Sequence, residues 1–90
     1  MLPEKSVTIS KKALSQVIDG QVVILGLEKN AYFGLDKVGA FIWEKLKAGL
    51  PVQEVVTQVS EIYQISKEIA AEDIDSLLAE LEDAKLISVN

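Results

Sequence analysis

The stretch Asn30–Gly49, NAYFGLDKVGAFIWEKLKAG, begins with the pattern of a β-strand and ends with that of an α-helix. The aromatic residues of Ala31–Leu35 favour an extended strand. Asp36 has the side chain of a helix N-cap, and Gly49 is typical of the position just after a helix. Between them the apolar residues recur at three- and four-residue spacing, as one helix face does: Val38, Phe41, Ile42 and Leu46. The stretch therefore predicts a strand that passes directly into a helix.

A β-hairpin is predicted upstream of this stretch. Two apolar segments, ALSQVI and QVVILGLE, flank Asp19-Gly20, and an Asp-Gly pair suits the two positive-φ positions of a type I′ turn. The second strand, Val22–Leu27, is apolar on both faces, which is typical of the middle strand of a small sheet. Residues 1–12 are open to two interpretations, a loose N-terminal arm or a short strand over Val7–Ile9.

A second turn precedes the aromatic strand. If Lys29 and Asn30 form a two-residue loop, Ala31–Leu35 becomes the edge strand of a three-stranded meander. An error of one residue in this loop would exchange the two faces of the strand. The register that follows from the two-residue loop pairs Leu27 with Tyr32, Leu25 with Gly34, Gly26 with Phe33, and Ile24 with Leu35.

Two further helices are predicted after Pro51. The first has a valine face and runs to about Tyr63; its face residues are Val52, Val55, Val56 and Val59. Ser66 is a suitable N-cap for the second, whose apolar stripe consists of Ala70, Ile74, Leu77, Leu78 and Leu81. The segment Leu86-Ile87 is expected to pack back on the core.

These elements predict one α+β domain over residues 1–90. The expected architecture is winged helix-turn-helix-like, with a three-stranded antiparallel sheet followed by three helices. Trp43 falls at the margin of the apolar face of the first helix, where it would cap the core or, alternatively, stand exposed as an anchor for a partner.

The absent residue types exclude several classes of function. The 90-residue chain has a net charge of −5 from nine lysines and fourteen acidic residues, with no arginine, histidine or cysteine. A transition-metal site without His or Cys would depend on carboxylates alone, and the commonest general base is missing. No disulfide can form, which fits a reducing cytoplasm, and no apolar run approaches the roughly 20 residues of a membrane span. The sequence therefore predicts a cytoplasmic protein that is not an enzyme and binds no cofactor or metal.

Half of the acidic residues fall in the last predicted helix, between Glu68 and Asp83. They form either a solvated face or a surface for a basic partner segment. They disfavour DNA binding, because a duplex carries about one negative charge per 1.7 Å. Asp73 borders the apolar stripe and is the acid best placed to hydrogen-bond a segment beside the helix. Asp73 and Asp75 diverge by about 200° around a helix, so they cannot act together on one substrate.

Three segments resemble the PqqD family: DGQVVILGLEKNAYFGLDKVGAFIWEKLKAG, VQEVVTQVSEIYQIS and EDIDSLLAELEDAKLI. The resemblance covers residues 13–87. Its most specific parts are Tyr32-Phe33, Leu35, Gly39 and Ile42-Trp43 at the family's spacing. This chain departs from the family pattern at Asp36, where Asn is common, and at Pro51, where Ser or Thr often caps a helix.

The resemblance implies a recognition element for ribosomally made, post-translationally modified peptides. Such domains resemble a winged helix-turn-helix but bind a leader peptide instead of DNA. The leader adds as a strand to the third β-strand and lies in a groove against the third helix. It is then presented to a modifying enzyme, a radical SAM protein in the pyrroloquinoline quinone pathway or a leader protease in lasso-peptide pathways. The free-standing lasso-type members are the more similar in shape and spacing.

The resemblance also implies which residues bind the leader: Ala31, Tyr32, Phe33, Gly34, Leu35, Asp73 and Leu77. An exposed edge strand suits this role, because an incoming peptide can pair with its free N–H and C=O groups. The sequence leaves open which of Tyr32 and Phe33 faces the groove. Two alternatives remain, a winged-helix DNA-binding regulator and an adaptor that uses the edge to form a homodimer or to hold another protein.

Overall fold

The chain forms five strands and three helices over the residues that the computed structural model describes, which are 5–28 and 30–90. In chain order these elements are β1 (Val7–Ile9), β2 (Ala13–Ile18), β3 (Gln21–Gly26), β4 (Ala31–Leu35), α1 (Lys37–Lys47), α2 (Val52–Tyr63), α3 (Lys67–Asp83) and β5 (Ile87–Val89). The predicted α+β class, with a three-stranded antiparallel sheet followed by three helices, is confirmed. The part of the predicted N-terminal arm before residue 5, and Lys29 of the predicted turn, lie outside the described residues.

The hairpin of β2 and β3 closes at the predicted Asp-Gly turn. Asp19 and Gly20 have φ values of 52° and 79°, the left-handed conformation that a type I′ turn requires at both central positions. Ile18 and Gln21 pair directly on either side of them. Glycine adopts this conformation without a steric penalty and aspartate tolerates it, so local chemistry is enough to specify this hairpin.

The predicted register between β3 and β4 is wrong by two residues. Gly26 pairs with Ala31 and Ile24 with Phe33, so the connection has four residues instead of two. Gly26, the last residue of β3, packs closely on Leu86, since a Cβ added at Gly26 would lie only 2.9 Å from Leu86 Cδ2. Since the error is an even number of residues, every side chain keeps its predicted face.

A second sheet of two strands joins the ends of the described chain. β1 pairs with β5 in antiparallel fashion, with Thr8 opposite Ser88, so the strand interpretation of Val7–Ile9 is correct. The pairing itself was not predicted, because neither three-residue strand has a sequence pattern of its own. Leu86 and Ile87 are buried as expected. β1 therefore pairs with β5 and not with β4, whose outer side it leaves open.

Side-chain caps begin α1 and α3 where the sequence predicts them. Asp36 accepts a hydrogen bond from the Gly39 N–H at 2.7 Å, and Ser66 accepts one from the Ile69 N–H at 3.1 Å. Each bond satisfies an N–H group that has no partner within the first helical turn. Gly49 has a φ of 87° just after α1, as the predicted helix-ending glycine should.

The core lies between one face of the three-stranded sheet and the three helices. Ile24 and Leu35 contribute to it from the sheet, and Ile74 and Leu81 are fully buried on α3. Trp43 is only 1% exposed, so the expectation that it packs on the core is confirmed and the alternative of an exposed anchor is wrong. The physical reason is that α1 contacts α2 as well as β1, β3 and β4, so it buries more than the single face that periodicity indicates.

Candidate functional site

The outer side of β4 is a free edge. The sheet order is β2-β3-β4, and β3 is the one strand that pairs with β4 within the described residues. Along an edge strand, alternate residues direct their N–H and C=O groups away from the neighbouring strand. This side of Ala31–Leu35, called the β4 edge below, therefore offers backbone donors and acceptors to a further strand.

The side chains of β4 alternate between two environments. Tyr32 is 76% exposed and shares with Gly34 the face turned away from the helices. Phe33 is half-buried against the core, and Leu35 is buried within it. Of the aromatic pair, Phe33 is thus the residue on the helix side of the sheet. The side chain of Leu35 is buried, so only its backbone is available to a ligand. Ala31 is exposed at the start of the strand.

A groove of about 360 Å³ runs between the start of α1 and the middle of α3. Its lining consists of Asp36, Val38, Gly39, Ile42, Asp73 and Leu77. Asp36 directly follows the last residue of β4, so this groove is continuous with the C-terminal end of the β4 edge.

The α1 wall of the groove depends on a tight corner between β4 and α1. A Cβ added at Gly39 would lie 3.2 Å from Asp36 Oδ1 and 3.3 Å from Leu35 Cδ2. The missing side chain at Gly39 therefore allows the strand end and the first helical turn to pack together. Sequence reasoning assigned Val38 and Ile42 to the core stripe and missed their place in the groove. Helix periodicity gives one apolar face, whereas these residues lie where that face meets α3.

The α3 wall consists of an acid and an apolar residue on one helix face. Asp73 and Leu77 are four residues apart, which places them next to each other along the helix. Leu77 packs partly against the core, whereas Asp73 is exposed and has no ion-pair or hydrogen-bond partner among the described side chains. Asp75 points elsewhere and pairs with Lys5 at 3.4 Å. The two aspartates therefore diverge, as helix geometry predicts.

The seven residues singled out from the sequence thus fall into two adjoining sets. The five residues of Ala31–Leu35 form the β4 edge, and none of them lines the groove. Asp73 and Leu77 line the groove. Asp36, which the sequence marked only as a helix cap, connects the two sets.

The face of the three-stranded sheet opposite the helices, called the outer face below, carries no charge. It consists of Leu14, Gln16, Ile18, Gln21, Val23, Leu25, Tyr32 and Gly34. Leu14, Leu25 and Tyr32 are paired in register across the three strands. Leu14, Ile18 and Tyr32 are exposed by 48%, 48% and 76%. Contiguous exposed apolar surface is a feature of interaction sites.

The β4 edge and the groove present groups that can bind an extended segment. Across residues 5–28 and 30–90, no group of three or more His, Cys, Asp or Glu side chains is placed to hold a metal ion. In the same part of the chain, none of the helices has the length and apolar character needed to cross a membrane. The edge and the groove supply backbone hydrogen bonds, apolar walls and a free carboxylate, which together suit an extended peptide.

Comparison with solved structures identifies two similar proteins. One is "TbiB1 in Complex with the TbiA(beta) Leader Peptide", which is 34% identical, with a TM-score of 0.84 over 89% of this chain and 93% of that one. The other is "Lasso peptide synthetase B1 complexed with the leader peptide", with a TM-score of 0.85 over 92% of this chain and 98% of that one. Because the second protein is only 19% identical to this chain, the similarity between the two shows a shared fold alone. No curated protein matches the chain.

A family model supports the same relationship from the sequence side. The model described as Coenzyme PQQ synthesis protein D (PqqD) matches residues 21–87. This range includes β3, β4, the three helices and the first residue of β5, and so it contains both the β4 edge and the groove. The chain therefore belongs to the PqqD family.

Proposed function

We propose that this protein binds the leader segment of a ribosomally synthesised precursor peptide and presents it to a modifying enzyme. The observation that carries the proposal is the free β4 edge, which leads into a groove at Asp36. The likeness to TbiB1, a protein of known structure with a leader peptide bound, supports the same ligand class. The protein acts as an adaptor without catalysis, in the cytoplasm where ribosomes make its ligand.

The binding mode we propose is strand addition. The leader pairs with the backbone of Ala31–Leu35 and becomes a fourth strand of the sheet. Each backbone hydrogen bond contributes about 0.5–1.5 kcal/mol net, and this contribution tolerates many leader sequences. Gly34 has open space where a Cβ would lie, so a peptide can approach the strand closely there.

Side chains next to the edge then select among leader sequences. Phe33 lies on the helix side of β4, and Leu77 forms part of the groove wall. Apolar leader side chains that alternate toward the helices would pack on these two residues. Asp73 provides a polar contact at the rim.

The outer face is the surface that we assign to the modifying enzyme, a leader protease or a radical SAM protein. Tyr32 belongs to both surfaces, since its backbone is part of the β4 edge and its side chain lies on the outer face. An enzyme that covers the outer face therefore sits directly beside the bound leader. The absence of charge on this face suits an apolar partner surface.

The test of leader binding is an NMR titration with the leader of the precursor peptide encoded beside this protein. We expect the amide shifts to concentrate in residues 31–35 and around Asp73 and Leu77. The amides of β2, at the opposite edge, serve as an internal control. Leader binding that leaves residues 31–35 unperturbed would contradict strand addition, and no binding at all would contradict the proposed function.

The enzyme contact is tested separately by Leu14→Gln on the outer face. Leu14 belongs to β2 and is remote from the β4 edge, so leader affinity should stay unchanged. The affinity for the modifying enzyme, measured by calorimetry with the leader bound, should fall. An unchanged enzyme affinity would remove the outer face from the proposal and leave leader binding intact.

DNA binding is the second candidate, suggested by the order of helices and sheet. α3 carries seven acidic residues between Glu68 and Asp83, which repel a phosphate backbone. A gel-shift assay at low salt is expected to show no retardation of duplex DNA. Because of this charge repulsion, peptide binding remains the function that we propose.

A further inference from the structure

We infer that the groove selects a lysine or arginine side chain of the bound peptide, an inference that rests on the proposed function. The side chain would lie with its aliphatic stem against the apolar walls and its cationic end at Asp73. This assigns Asp73 as a specificity-determining residue for a basic position in the leader.

The shape and polarity of the groove point to a long amphipathic side chain. Val38, Ile42 and Leu77 form apolar walls, and Asp73 stands at the exposed rim. Lysine and arginine bury their methylene stems along apolar surface while the charged end stays in water. A short acidic or polar side chain would leave these walls uncovered.

The charges of the groove fix the sign of the expected ligand group. Its two ionisable residues are both carboxylates, Asp36 and Asp73. Asp36 already accepts the Gly39 N–H through Oδ1 at 2.7 Å, so it is engaged in capping α1. Asp73 has no such engagement among the described residues, so its carboxylate remains available to a ligand.

Lysines of the protein do not fill this role within the described chain. No lysine lines the groove, and three lysines of the described chain contact other groups. Lys5 pairs with Asp75, Lys45 lies 5.2 Å from the centre of the Phe41 ring, and Lys47 contacts Ser15 at 3.3 Å. A cation beside Asp73 must therefore come from the ligand.

Continuity with the β4 edge makes that ligand a peptide instead of a free small cation. The groove begins at Asp36, one residue after β4 ends. A peptide that pairs along β4 has its backbone fixed by hydrogen bonds, so one of its helix-facing side chains is directed toward α3. The backbone pairing supplies affinity, and Asp73 adds selectivity at that one position.

The test uses a display library of random 20-residue peptides, selected on the full chain and on three variants. On the wild type, we expect binders to share one aligned position rich in lysine or arginine. Asp73→Asn should lose this preference. Asp73→Lys should instead select peptides with aspartate or glutamate at that position. Asp75→Asn is the matched control, because it removes the same charge from the same helix outside the groove, and it should keep the preference.

A double-mutant cycle then measures the contact with one selected peptide. Asp73→Asn should lower the affinity for the lysine-containing peptide about two- to fivefold, as expected for a partly exposed ion pair. The same variant should have the wild-type affinity for a peptide with glutamine at that position. Equal thermal melts of Asp73→Asn and wild type would show that the fold is intact.

The outcomes separate this inference from the proposed function. Binders that shift the amides of residues 31–35 but share no basic position would overturn the inference and leave peptide binding standing. A basic position that persists in Asp73→Asn would also overturn it. If no peptide is enriched on any variant, the proposed function itself fails, and the inference fails with it.

Discussion

The two edge strands of the three-stranded sheet, β2 and β4, differ in what lies beside them. Both have one side that no strand pairs within the described residues. Beside β2, Lys47 of α1 reaches Ser15 at 3.3 Å, so a charged side chain lies next to this strand. β4 continues into a groove with apolar walls and a free carboxylate. An edge becomes a credible peptide site when neighbouring side chains add selectivity to its backbone groups.

The largest expected effect comes from the backbone of the peptide. N-methylation of leader amides removes a donor and adds bulk, so one alternate set of positions should lose at least about tenfold in affinity per methyl group. The other set, whose amides point away from β4, should be little affected. Affinity measured by calorimetry on both sets checks this. Equal losses in the two sets would mean that the peptide does not bind as a strand.

The next effect comes from the groove wall. Leu77→Ala removes apolar contact with the peptide and should weaken binding about fivefold. Leu14→Ala is the matched control, because it makes the same change at the β2 edge and should leave binding unchanged. Fluorescence anisotropy with a labelled leader measures both affinities. A larger loss of affinity for Leu14→Ala would mean that the peptide binds at the β2 edge and not at the β4 edge.

A cap substitution tests how the β4 edge and the groove are joined. Asp36→Ala removes the hydrogen bond to the Gly39 N–H and should lower the free energy of unfolding by about 1 kcal/mol. Asp36→Asn should retain most of the stability, because asparagine also caps helices well. Urea unfolding measures both variants.

Ser66→Ala provides the control for that experiment. Ser66 caps α3 through the Ile69 N–H, away from the groove, and its loss should cost about as much stability. Peptide affinity should fall for Asp36→Ala and stay constant for Ser66→Ala. If both variants weakened peptide binding equally, the corner between β4 and α1 would have no special role.

The smallest effect is expected at the β2 edge. Lys47→Ala removes an exposed contact to Ser15 and a 4.0 Å pair with Glu44. Surface pairs of this kind contribute little, so the free energy of unfolding should change by less than about 0.5 kcal/mol. Leader affinity should not change. A clear loss of affinity would show that β2 takes part in binding.

Much of the fold could be predicted from local sequence. The Asp-Gly turn, the Asp36 and Ser66 caps and the extent of α2 all appear as expected. Each depends on contacts between residues close together in the chain. The register at the second turn did not follow from local chemistry, because a two-residue and a four-residue connection both accommodate Asn30.

The candidate site was predictable in part. The strand AYFGL and the position of Asp73 beside an apolar stripe are visible in the sequence. The outer face was not predicted as a surface, because its side chains come together only when three strands align. The groove lining on α1 was missed for a similar reason, since Val38 and Ile42 meet α3 across a large separation in sequence.

The sequence by itself determined where the helices and the first hairpin lie, the absence of histidine and cysteine, and the acidity of α3. These properties depend on residue type and short-range spacing, which three-dimensional packing does not change. The tertiary structure alone decided that Gly26 pairs with Ala31, that Trp43 is buried, and that β1 pairs with β5 instead of covering β4. Those outcomes depend on contacts that no local pattern encodes, such as β1 against β5 and α1 against α2.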